Sequence, residues 1–88
     1  MPFSITFSDR FQKNYRKLSD AEKRQVQDKV RILADNPMHP SLRTKRIKGT
    51  TALFECSVNM DIRIIWYYEG KELILLLDIG HHDILIKY

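Results

Sequence analysis

The chain has little of what would staple or anchor it. One cysteine, Cys56, leaves no internal disulfide to make, so a reducing cytoplasm is the expected setting. The longest unbroken apolar run is Leu73 to Leu77, a quarter of the roughly 20 residues that a membrane span needs. The opening Met1-Pro-Phe-Ser-Ile-Thr-Phe alternates instead of forming an apolar block, which argues against a signal peptide. The histidines lack a second ligand cluster at a recognised spacing, so no metal and no cofactor is expected. No internal repeat or low-complexity stretch is present. At 88 residues the chain makes one domain, 1–88, with a small core, too short for separate cofactor and substrate domains.

Acidic residues are scarce in the first half. Residues 1–50 carry twelve Lys/Arg against five Asp/Glu, whereas residues 51–88 carry three against six. The net charge of +4 therefore hides a strongly basic half that includes the segment Arg43-Thr-Lys45-Arg46-Ile-Lys48. Such asymmetry favours a polyanionic partner, nucleic acid first. The competing reading is that these charges merely solvate helix faces.

Along the chain, Phe3, Ile5 and Phe7 alternate with Ser4 and Thr6, a half-buried strand over Pro2–Phe7. Ser8 or Asp9 caps a helix through about Leu18, with Phe11, Tyr15 and Leu18 on one face. Ser19-Asp-Ala-Glu22 reads as a capping box for a second helix ending at Asn36-Pro37. With almost no linker, the two helices should form an antiparallel hairpin on a sheet. A basic strand over Arg43–Lys48 follows, then strands over Leu53–Val58, Ile62–Tyr68 and Leu73–Ile79. Ile84–Tyr88 fits a short strand or a helical turn equally. The fold class is α+β with a mainly antiparallel sheet.

Two features resist a pure packing account. Arg63 interrupts an apolar strand, Asp61-Ile-Arg63-Ile-Ile-Trp66-Tyr67, and shares a face with Ile65 and Tyr67. Gly80-His81-His82-Asp83 closes the next strand. If the two strands pair as a hairpin, the histidines leave the sheet at Arg63's end. A fixed cation beside titratable imidazoles suits phosphate chemistry near neutral pH. Against this, Arg63 could pair with Glu55 or Asp78, and the histidines could serve the turn or bond to Asp83.

Taken together, the N-terminal strand, the helical pair, the Asn36-Pro37 and His39-Pro40 connection, the basic stretch ending at Gly49, Ile62-Arg63-Ile-Ile-Trp-Tyr and Gly80-His81-His82 resemble the RelE/ParE superfamily of type II toxin–antitoxin toxins over essentially the full chain. The resemblance implies a compact toxin held inactive by a cognate antitoxin and assembled with it. In the ribosome-dependent branch, the mRNA interferases, it implies cleavage of mRNA in the ribosomal A site. It places Arg63 where the family arginine meets the scissile phosphate and His82 where a residue assists the leaving group. Tyr88, six residues on, matches the C-terminal catalytic tyrosine; Ile86 stands where other members have an aromatic. Paired lysines of the best-known members are replaced by Phe54 and Cys56. Glu55, Lys45, Arg46 or Lys48 then compensate, some members using a glutamate and histidine set.

RNA cleavage without metal needs the 2′-OH deprotonated, charge at phosphorus stabilised and the 5′-oxygen protonated. Histidine suits either transfer, and arginine grips two phosphate oxygens in a fork. The expected catalytic set is therefore Arg63, His82, Tyr88 and Glu55, with Lys45, Arg46, Lys48 and His81 on the RNA. Expected partners are the antitoxin, the ribosome and mRNA, with no membrane. Two other functions fit the same resemblance: a ParE-like inhibitor of DNA gyrase, and a degenerate toxin acting only as a binding module, which the missing lysines favour.

Overall fold

The computed structural model describes residues 2–88. Strand β1 (Ser4–Phe7) leads into helix α1 (Asp9–Tyr15), helix α2 (Asp20–Asp35) and a 3₁₀ turn over Pro40–Leu42. Strands β2 (Lys45–Arg46), β3 (Phe54–Ser57), β4 (Ile62–Tyr68) and β5 (Leu73–His81) follow, and a second 3₁₀ turn covers His82–Lys87. Pattern alone left the tail open between strand and turn; it is a turn.

Caps set the helices. The Ser8 hydroxyl accepts from the Phe11 N–H at 2.9 Å. The first helix ends at Tyr15, short of the expected Leu18, because Lys17 and Leu18 bond three residues back, to Asn14 and Tyr15, in place of four. Leu18 still packs on the core. The expected capping box is present: Ser19 Oγ accepts from the Glu22 N–H at 3.2 Å, and Glu22 Oε1 accepts from the Ser19 N–H at 2.8 Å. That second bond lowers the Glu22 carboxyl below its usual range. Its stabilisation is thus present above the unfolded carboxyl's pKa and fades as pH falls through the folded one. Ser19→Ala should cost about 1 kcal/mol of unfolding free energy, measurable as a shifted urea midpoint with unchanged slope.

The five strands run in the order β1-β5-β4-β3-β2. Strand β1 joins β5 in parallel, and the other pairings are antiparallel. The basic strand expected over Arg43–Lys48 shrinks to two residues. The apolar run expected to end at Ile79 extends as strand to His81.

Alternation along β4 sends Ile62, Ile64 and Trp66 into the main core with Phe11, Val26 and Leu33 of the helices. Ile65 points the other way, into a small cluster with Ile47 and Ile84 under the C-terminal turn. Between Ile65 and Trp66 the pairing with β5 slips by one residue, so Leu77 is the extra residue of a bulge. The slip lets Ile74, Leu76 and Ile79 all reach the main core although Leu76 and Ile79 are three apart. Gly80 permits a close approach: a Cβ there would lie 3.1 Å from Ile84 Cδ1, so the Ile84 side chain would have to shift by a few tenths of an ångström. No helix among the described residues is long and apolar enough to cross a membrane.

Candidate functional site

Strand register builds the site. Ile62 faces His81 and Arg63 faces Gly80 across β4–β5, while Ser57 faces Arg63 across β3–β4. The residues flanking the hairpin ends, Asp61 and His82, are thereby brought side by side. His82 Nδ1 lies 3.3 Å from Asp61 Oδ1. The other Asp61 oxygen lies 3.4 Å from His81 Nε2, which also approaches Glu22 Oε2 at 3.9 Å. Asp61 thus holds one imidazole with each oxygen.

Arg63 is half-buried and braced. Its Nη1 donates to the Asn59 carbonyl at 2.8 Å and to the Ile62 carbonyl at 3.3 Å. A guanidinium has five N–H donors, so most of the fork remains for a ligand. Arg63 lines a groove of about 470 Å³ together with His82, Glu55, Ser57, Arg43, Thr44, Lys45 and Leu85. The antiparallel partnership of Lys45 with Glu55 puts both on this side of β2–β3. Glu55 is only 8% exposed, a carboxyl at the wall of a cationic groove.

Other expected residues lie elsewhere. Arg46, one residue on from Lys45, turns to the opposite side and sits over the Phe54 ring at 5.5 Å. Lys48 is exposed beyond the strand and His81 is engaged by Asp61 and Glu22, and neither lines the groove. The Tyr88 hydroxyl is also outside it. It donates to Asp78 Oδ2 at 2.8 Å and accepts from Arg10 Nη1 at 3.2 Å. Asp78, 1% exposed, also accepts from Asn14 Nδ2 at 2.7 Å and from the Ile79 N–H at 2.8 Å. Burial, then the bond to Asp78, push the Tyr88 hydroxyl above its usual range, so it stays protonated at neutral pH. The Arg10 guanidinium is raised in turn, chiefly by its bond to Tyr88. Tyr88→Phe removes one donor from a buried carboxyl and should cost about 1–3 kcal/mol, read by thermal unfolding.

Asp61, Ser57 and Arg43 belong to the site although the residues expected from sequence did not include them; Arg43 entered only as the start of the basic segment and Asp61 as the residue before the Arg63 strand. The signal for Asp61 was the hairpin itself: a residue just before one strand must neighbour the residue just after its antiparallel partner. Arg43 adopts φ 50°, ψ 43° at the end of the first 3₁₀ turn, the left-handed region. For a residue other than Gly, Asn or Asp that conformation costs about 1–2 kcal/mol. Cys56, at one of the positions where lysines were sought, is buried among apolar side chains, and burial pushes its thiol up to about 12, so it is an inert filler. Among the described residues no group of three or more His, Cys, Asp or Glu is arranged to hold a metal ion.

Comparison with known proteins agrees with this architecture. The profile of the family described as bacterial toxin of type II toxin–antitoxin system, YafQ, matches residues 3–87. RelE in the archaeal RelE–RelB complex from Pyrococcus horikoshii OT3 is similar, with a TM-score of 0.77 and 19% identity over 92% of this chain and 96% of that one. YafQ from E. coli strain BL21(DE3) gives a TM-score of 0.76 at 16% identity, covering 94% and 97%. In the E. coli DinJ–YafQ toxin–antitoxin complex the values are 0.77 and 16%, covering 97% and 98%. No curated protein sequence matches the chain. Sheet order, helical pair and near-complete coverage agree with the sequence profile, and the chain belongs to the YafQ family of bacterial type II toxin–antitoxin toxins, within the RelE-like fold.

Proposed function

We propose that this toxin is an endoribonuclease that cuts mRNA on the ribosome by metal-independent acid–base chemistry, acting in the cytoplasm. The observation that carries the reading is the shared groove: Arg63, His82 and Glu55 open onto one cavity at the end of the sheet. In the reaction, the Glu55 carboxylate takes the proton of the 2′-OH as its oxygen attacks phosphorus. Arg63 holds the non-bridging oxygens, where charge develops. The P–O5′ bond breaks, and protonated His82 gives its Nε2 proton to the departing 5′-oxygen, leaving a 2′,3′-cyclic phosphate. Asp61, at Nδ1, fixes the imidazole's orientation. Lys45 docks the backbone from the groove wall. Tyr88 acts at a distance from the reacting atoms, tying down the turn that begins with His82.

The cognate partner is a small acidic antitoxin. An apolar groove of about 610 Å³ between α1 and α2, lined by Phe7, Phe11, Tyr15, Val26 and Val30 and rimmed by Arg16 and Arg31, suits an amphipathic acidic segment. RelE with RelB and YafQ with DinJ are complexes of related folds. Mapping RNA 5′ ends after induction in a susceptible cell tests the activity. Cuts inside translated codons are expected. An unchanged RNA profile with broken or relaxed DNA would overturn it in favour of a gyrase poison.

A further inference from the structure

The reaction groove has a neighbour. A smaller cavity of about 180 Å³ adjoins it at Arg63, and Lys29, Ser41, Asn59 and Met60 are among the residues that line it. The two cavities share Arg43, Ser57 and Arg63 as a common wall. The smaller one is lined by the cations Lys29, Arg43 and Arg63 and by no carboxylate. Among the described residues, no ion pair neutralises any of the three. Arg63 is oriented at the wall by the Asn59 and Ile62 carbonyls, and Lys29 Nζ by the Ser41 carbonyl at 3.3 Å. Arg43 stands between the cavities in a left-handed conformation, the kind of strained backbone that clusters at binding sites. Unpaired cations converging on a concavity beside a phosphate-reacting groove call for a second phosphate.

From this geometry we infer that the Lys29–Arg43 cavity is a second phosphate subsite, holding the phosphate on the 5′ side of the nucleotide whose 2′-OH attacks. The side follows from the roles assigned above, on which this inference rests. Across the sheet order β5-β4-β3, His82 stands on one side of Arg63 and Glu55 on the other, so the departing 5′-oxygen and the downstream nucleotide face His82 while the attacking nucleotide lies toward β3. The smaller cavity is on that side, lined by Ser57, two residues along β3 from Glu55, and by no residue of β5, so the upstream nucleotide extends toward Lys29. The enzyme consequently grips at least two consecutive phosphates, and Arg43 bridges them.

The test is NMR titration of the toxin with non-cleavable 2′-O-methyl dinucleotides that carry no terminal phosphate, a 5′-phosphate or a 3′-phosphate. The 5′-phosphate should tighten binding several-fold, and Lys29→Gln or Arg43→Asn should remove that gain. Asparagine tolerates the left-handed backbone, so loss of the charge is separated from backbone strain. The slope of log affinity against log salt for the 5′-phosphorylated ligand should fall by roughly 0.7 per lost phosphate contact. Lys71→Gln, in the far turn of the β4–β5 hairpin, should change nothing. No gain from the 5′-phosphate, a gain that survives both substitutions, or a variant-sensitive gain from the 3′-phosphate instead overturns the subsite. RNA cleavage by the parent protein is scored in parallel. Normal cleavage without the 5′-phosphate effect removes the subsite alone, whereas absent cleavage defeats the nuclease reading itself.

Discussion

Replacing His82 by alanine should lower the rate of RNA cleavage by about 10²–10⁴-fold, the usual worth of one positioned proton-transfer group. Arg63→Ala should cost about 10²–10³-fold, because charge on the non-bridging oxygens would lose its braced donor. His82 is exposed and Arg63 is only half-buried at the sheet's end, so both variants should keep the parent's circular dichroism and unfolding midpoint within a few degrees. Single-turnover cleavage on programmed ribosomes gives the rates, and growth after induction gives the cellular outcome. Asp61→Asn separates orientation from chemistry. It keeps the shape but alters what Nδ1 meets, so it should reduce the rate less than His82→Ala. Full toxicity in both alanine variants would place the reaction elsewhere on the molecule.

Trp66→Ala should destabilise the fold by about 3–5 kcal/mol, a large share of the 5–15 kcal/mol that holds a domain together. Trp66 is 0% exposed, stacked on Phe54 with centroids 4.8 Å apart and edge-on to Tyr68 at 5.1 Å. Its loss opens a cavity between β4 and its neighbours that those rings cannot fill. The buried indole Nε1–H makes no well-formed hydrogen bond and has only the weakly accepting Cys56 Sγ, diagonal to it across β3–β4, as a neighbour. Trp66→Phe removes that poorly satisfied donor, at most about 1–3 kcal/mol, while giving up part of the packing. The two effects oppose, and the net change should stay below about 2 kcal/mol. Urea unfolding of both variants checks the contrast; an equal loss in the two would mean that the poorly satisfied N–H carries no penalty.

What the sequence disclosed was what is local or periodic. A cap at Ser8 or Asp9 (it is Ser8), the Ser19 capping box, the stop at Asn36-Pro37, and the division of Ile62, Ile64 and Trp66 from Arg63 and Ile65 all follow from spacing, and all are found. The placement of Arg63 near the histidines followed from one assumption, hairpin pairing, and that pairing exists. Properties set by non-local partners were hidden. Arg46 and Lys45 look equivalent in a basic run, yet a single step along β2 sends one to the groove and the other over Phe54. The Tyr88 hydroxyl is bound by Arg10, 78 residues away, and by Asp78, a network that no spacing rule reveals. The bulge at Leu77 was equally invisible, because a uniformly apolar strand gives no parity to violate.

The parallel seam between β1 and β5 bears on how the toxin is made. Ser4 pairs with Leu73 and Phe7 with Leu76, so the first strand to leave the ribosome waits for the last one before it has a neighbour. Long-range closure of this kind is slow compared with helix formation. His82 emerges later still, and the groove acquires that wall only after nearly the whole chain has been translated. If the groove cuts ribosome-bound mRNA as proposed, a nascent chain has no complete site until His82 has emerged.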